Sequence, residues 1–147
     1  MSASTGIQAS YIAQGLTAEQ VNQIAAISEV VTVSDGVEII SEFDSAADIY
    51  VLIDGKVRVT TNQGDPIARL DKGAIIGEIA LFDESERSAT VVSAGESQLV
   101  KISGEKFTQL MLDEPKIGVI VLRNIGKTLC QRLRSSNVQL EAVLAAL

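Results

Sequence analysis

Ile49-Tyr50-Val51-Leu52-Ile53-Asp54-Gly55-Lys56-Val57-Arg58-Val59 reads as a strand, a tight turn and a returning strand. Its apolar residues are mostly β-branched, and Asp-Gly between two such runs is a strong hairpin signal. Working outward, Val31 and Val33 form an earlier strand, Asp35-Gly36 a turn, and Val37, Ile39 and Ile40 the next strand. After the hairpin, residues 62–66 turn the chain into a short strand at Ile67–Leu70, and Lys72-Gly73 leads to Ile75 and Ile76. Ala89–Val92 and Leu99–Ile102 resume the pattern after a central insert. Short strands punctuated by Gly, Asp and Asn predict a β-sandwich or barrel.

Helices flank these strands. Thr17 followed by Gln20 is a capping-box pattern, with Leu16 and Val21 as its hydrophobic staple, so a helix is expected over about 17–28. Met1–Ser10 is small and polar and is expected to be frayed. Beyond the strands, Gly104–Leu112 predicts a short helix with Phe107, Leu110 and Met111 inward, and Pro115 a boundary. From Ile117 to Leu147, the residues Leu122, Ile125, Leu129, Leu133, Ser136, Leu140, Val143 and Leu147 recur every three or four positions. That stripe is about 37 Å long at helical rise, longer than a small barrel can cover. Its apolar edge needs either the barrel or a second copy of itself. The expected architecture is mainly β with flanking helices: one domain over 1–147, a barrel over about 30–103, and C-terminal helices over about 104–147 with a long final helix.

Composition excludes several functions. The 147 residues hold no His and one Cys, Cys130, so histidine-based acid–base chemistry, His- or Cys-paired nucleophiles and the usual zinc sites are absent. No metal-ligand set or general base stands out, and the chain is not expected to be an enzyme. Cys130 is expected to be a small buried side chain in an apolar helix. A net charge of −7 argues against direct DNA binding, which needs a basic face. No apolar run reaches the roughly 20 residues of a membrane helix, and Met1–Ser10 has no signal-peptide pattern, so a cytoplasmic location is expected.

The chemistry lies in the central insert, Gly77-Glu78-Ile79-Ala80-Leu81-Phe82-Asp83-Glu84-Ser85-Glu86-Arg87-Ser88-Ala89-Thr90-Val91. A plain hairpin would not need its length, and long inserts of this kind are usually functional. Gly77 permits positive φ or close backbone approach. Ala80–Phe82 can make one helical turn with free N–H groups, Arg87 adds a planar fork suited to phosphate, and Ser88 a hydroxyl. The backbone N–H groups of Ser88 and Ala89 can close the cradle. Glu78 is an acceptor for a sugar hydroxyl. Together they describe a pocket for a phosphate joined to a ribose. The neighbouring acids Asp83, Glu84 and Glu86 read as a solvated charge run, not a hydrolytic pair.

This segment resembles the phosphate-binding cassette of the cyclic-nucleotide-binding domain family, which includes catabolite activator proteins, regulatory subunits of cAMP-dependent kinase and cyclic-nucleotide-gated channels. The family pattern, Gly-Glu-x-Ala-Leu, a spacer, then Arg-(Ala/Ser/Thr)-Ala-Thr-Val, is matched by Gly77–Leu81 and Arg87–Val91, with nine residues from Glu78 to Arg87. Ile40-Ser41-Glu42, the segment Asp48–Val57, Lys106-Phe107 and Gln131-Arg132-Leu133 extend the likeness over nearly the whole chain. Two departures are Glu86, where many members have Pro, and Glu42-Phe43-Asp44, where an early turn usually carries glycine.

The resemblance implies a jelly-roll barrel that binds cAMP, or less expectedly cGMP, as a ligand and not as a cofactor. It implies that Glu78 takes the ribose 2′-hydroxyl and that Arg87 and Ser88 take the exocyclic phosphate oxygens, with Gly77, Ile79, Ala80 and Ala89 completing the pocket. Ser136 and Asn137 match the positions that reach the purine in catabolite activator proteins. Ser136 also interrupts the apolar stripe, where a polar residue weakens a helix seam. The implied partners are a second copy of the chain through the long helix and a downstream protein. The alternative is a ligand-free structural or interaction module with the same fold, in which Glu78 and Arg87 simply pair with each other.

Overall fold

The computed structural model describes residues 2–40, 47–61, 63–82 and 89–146. Two four-stranded antiparallel sheets face each other. The strands are β1 (Ser28–Val33), β2 (Glu38–Ile40), β3 (Ile49–Asp54), β4 (Val57–Thr60), β5 (Pro66–Leu70), β6 (Ile75–Ile76), β7 (Thr90–Ser93) and β8 (Ser97–Ile102). One sheet runs β1-β8-β3-β6 and the other β2-β7-β4-β5. This is the expected jelly-roll architecture, with helices α1 (Ala3–Gln8), α2 (Ala18–Ala25), α3 (Gly104–Asp113) and α4 (Pro115–Ala145) around it.

The period of two along a strand explains why Ile49–Ile53 is apolar at every position. Ile49, Val51 and Ile53 point to one face and join a cluster with Val100 and Ile102 of β8 and the helical residues Ile7, Val21, Ile24, Phe107, Ile117, Val121 and Ile125. Tyr50 and Leu52 point the other way, into a second cluster with Val57, Ile76, Val91 and Leu99. The β3–β8 sheet is therefore buried on both faces, as runs without alternation require. The larger cluster lies between that sheet and the helices, not between the two sheets.

The capping box at Thr17 is present: the Thr17 hydroxyl accepts from the Gln20 N–H, and the Gln20 Oε1 accepts from the Thr17 N–H. Leu16 and Val21 are both buried beside it. Four expectations change. Asp54-Gly55 is a turn but not a hairpin: β3 pairs with β6 and β8, and β4 with β5 and β7, so the chain crosses there from one sheet to the other. Met1–Ser10 is not frayed over its described part: Ser2 caps α1, and Ile7 is fully buried. Gly6 brings that helix so close that an added Cβ would meet Val100 at 3.0 Å and Ile53 at 3.1 Å. A six-residue helix of this composition has no stability of its own, so its order comes from docking, which local propensity does not reveal. Cys130 is exposed, not buried. Of the expected stripe along α4 only Ile125 is buried and Leu129 half-buried, whereas Leu122, Leu133, Leu140 and Val143 are exposed; the face that meets the core carries Ile117, Val121 and Ile125. The helix outruns the domain after Leu129, and Cys130 lies on the uncovered part.

Candidate functional site

The buried pair Ile75 and Ile76 anchors β6, and Gly77 then turns the chain with φ +85°. That left-handed conformation favours glycine. It directs Glu78 into a 3-10 turn, Glu78–Leu81, closed by the Phe82 N–H donating to the Ile79 carbonyl at 3.0 Å. Leu81 packs on the main core, whereas Ile79 and Phe82 are exposed. Glu78 is only 4% exposed.

A carboxyl group so deeply placed needs a partner. The partner comes from the far end of the sequence. Arg132 of α4 donates from Nη1 to Glu78 Oε1 at 2.8 Å, with the arginine side chain half-exposed and that of the glutamate buried. Arg132 is therefore tied to the cassette by a charge-assisted bond, one of the stronger kinds of hydrogen bond.

A third group stands at this pair. Tyr11 opens a 3-10 turn, Tyr11–Ala13, which packs against α4. Asn124 of α4 holds that turn by donating from Nδ2 to the carbonyls of Ile12 and Gln14, each at 2.9 Å. The Tyr11 phenol is pushed above its ordinary range, chiefly by burial, further by the Glu78 carboxylate, with Arg132 opposing. The Tyr11 turn and the Glu78 turn are thus both held by α4, the first through Asn124 and the second through Arg132.

Of the expected ligand contacts, Gly77, Glu78, Ile79 and the Ala80 backbone lie together on the turn after β6, and Ala89 immediately precedes β7. Arg87 and Ser88 lie outside the described residues, as do Glu42-Phe43-Asp44 and the acids Asp83, Glu84 and Glu86. Ser136 and Asn137 are exposed on the free half of α4, one turn beyond Arg132. Sequence reasoning placed Arg132 in a family likeness without a role and passed over Tyr11 and Asn124. Asn124 had a legible signal: it interrupts the buried series Val121, Ile125 with a polar residue. Among the described residues no group of three metal-ligating side chains occurs, and no helix is long and apolar enough to cross a membrane.

Residues 30–114 match the cyclic nucleotide-binding domain family. The chain belongs to that family. The cyclic AMP receptor protein of Thermus thermophilus is 28% identical over 131 residues, covering 86% of this chain and 59% of that protein. Glutaminase 1 of Bradyrhizobium diazoefficiens is 27% identical over 128 residues, covering 87% of this chain but 21% of the glutaminase. The chain thus spans well under two thirds of the length of both relatives. Among solved structures, a cyclic nucleotide-binding domain from Methylobacillus flagellatus superposes with a TM-score of 0.83 at 24% identity, over 92% of this chain and 81% of that one. That likeness is one of fold.

Proposed function

We propose that this domain is a regulatory sensor of a cyclic nucleotide, with cAMP preferred over cGMP. The observation that carries the reading is Glu78, a buried carboxylate at the head of a 3-10 turn, held by an arginine of the C-terminal helix. In this reading Glu78 accepts from the ribose 2′-hydroxyl, Arg87 and Ser88 bind the exocyclic phosphate oxygens, and Gly77, Ile79, Ala80 and Ala89 complete the pocket. Ser136 lies four residues beyond Arg132, on the same helical face, which supports its reaching the base together with Asn137. The preference for cAMP is supported by the name of the Thermus relative, while Ser88 resembles both catabolite activator proteins and the threonine of cGMP-dependent kinases.

The mechanism follows from competition. A ligand hydroxyl and the Arg132 guanidinium both seek the Glu78 carboxylate. A ligand shifts a conformational population only through contacts that differ between states. Releasing Arg132 is such a contact, and Arg132 sits where α4 leaves the core, so binding changes how the distal helix is held. Two copies pairing through that helix would pass the change to a partner.

Isothermal titration of the chain with cAMP and then cGMP tests the reading, with Arg87→Ala as control. Micromolar or tighter binding is expected, stronger for cAMP, and weakened about 10- to 100-fold in the variant, the loss of a charge-assisted contact. Absence of heat and of thermal shift with both nucleotides would favour the ligand-free module, in which the Arg132–Glu78 pair is a permanent bridge.

A further inference from the structure

Tyr11 carries the one buried side-chain polar atom among the described residues that lacks a hydrogen-bond partner, its phenolic oxygen. Such an orphan is destabilising, because the hydroxyl gives up its bonds to water and gains none in return. Phenylalanine would occupy the same place without that penalty. The turn that bears Tyr11 has little freedom to bring the hydroxyl to water. Ile12 and Ala13 are each 1% exposed, and Asn124 clamps the carbonyls on either side of Ala13. The charged groups that act on the phenol are the two members of the site's ion pair, Glu78 and Arg132. The hydroxyl is thus a neutral donor kept beside a carboxylate that already has a cation.

We propose that the Tyr11 hydroxyl is a positioning group for Glu78, donating a hydrogen bond to its carboxylate when Arg132 is withdrawn. The inference rests on the reading of Glu78 as the group at which ligand and α4 compete. A buried carboxylate stripped of its paired cation is strongly unfavourable. A phenol is a donor and a carboxylate an acceptor with several lone-pair sites, so the two are complementary. The exchange keeps Glu78 at the site while α4 moves, and it lowers the cost of releasing the helix. It also gives a use to a hydroxyl that has no partner in the Arg132-bound state.

The test is a double-mutant cycle without nucleotide: wild type, Tyr11→Phe, Arg132→Gln and the double variant, each unfolded in urea. In the wild-type background Tyr11→Phe is expected to leave stability unchanged or raise it. In the Arg132→Gln background the same change is expected to raise the unfolding constant about 3- to 10-fold, the worth of one hydrogen bond. The chain has two tyrosines and no tryptophan, so the near-ultraviolet difference between each protein and its Tyr11→Phe form isolates this phenol. A red shift on removing Arg132 is expected. Equal effects of Tyr11→Phe in both backgrounds, with no spectral shift, would overturn the proposal. If Arg132→Gln does not fold, Arg132→Lys, which keeps the charge but loses the fork, takes its place in the cycle. The cycle needs no nucleotide, so its failure is distinct from failure of the ligand reading, which calorimetry decides.

Discussion

Glu78 and Tyr11 are 67 positions apart in the chain, yet the Glu78 carboxylate acts on the Tyr11 phenol. Burial makes the phenol hold its proton more tightly than in the unfolded chain. The sign of the resulting pH dependence follows directly. An unfolded tyrosine ionises near about pH 10, and the folded one above that. The stability that Tyr11 contributes by staying neutral is intact below about pH 10 and is lost as pH rises beyond it, at up to about 1.4 kcal/mol per pH unit. Melting temperatures measured from neutral to strongly alkaline pH should therefore fall less steeply above about pH 10 in Tyr11→Phe than in the wild type. Parallel curves would mean that the phenol is as accessible to hydroxide folded as unfolded. Glu78 itself shows the limit of reading single residues. Its place in the motif marks it for the site, but nothing local says that an arginine 54 residues later answers its charge.

At the scale of elements, α4 does two different things along its length. Its first half is a core helix, with Ile117, Val121 and Ile125 in the main cluster. Within that half Asn124 replaces an apolar contact by two hydrogen bonds to the Tyr11 turn. That turn is too short to hold itself, so its position is borrowed from the helix. Asn124→Ala leaves two carbonyls without their donor and should cost about 2–4 kcal/mol in urea unfolding. Hydrogen exchange should at the same time quicken at the backbone amides of residues 11–16 and not in β3 or β8. An equal loss of protection across β3 and β8 would show instead that Asn124 supports the whole core and not the turn. The N-terminal helix α1 depends on the same kind of docking, through Ile7 and the close approach at Gly6.

At the scale of the molecule, the distal half of α4 carries Leu133, Val138, Leu140, Val143 and Leu144, all more than half exposed. An apolar face of that extent, continuous with a packed seam, is costly to leave in water. Light scattering is expected to give a dimer at micromolar concentration, and Leu140→Glu with Val143→Glu a monomer. A monomer for the wild type at high concentration, with or without nucleotide, would remove self-pairing through α4. Legible in the sequence were the strands, the turn at Asp54-Gly55 though not its crossing between sheets, the cap at Thr17, the long helix and the cassette that marks the family, because each is written in period, turn chemistry or a contiguous motif. What it could not carry is which surfaces meet. The docking of α1, the exposure of Cys130, the Asn124 clamp on the Tyr11 turn and the Arg132–Glu78 pair depend on segments far apart in the chain. Only the tertiary structure decided them, because burial and charge pairing are properties of neighbours in space, and no local pattern fixes those neighbours.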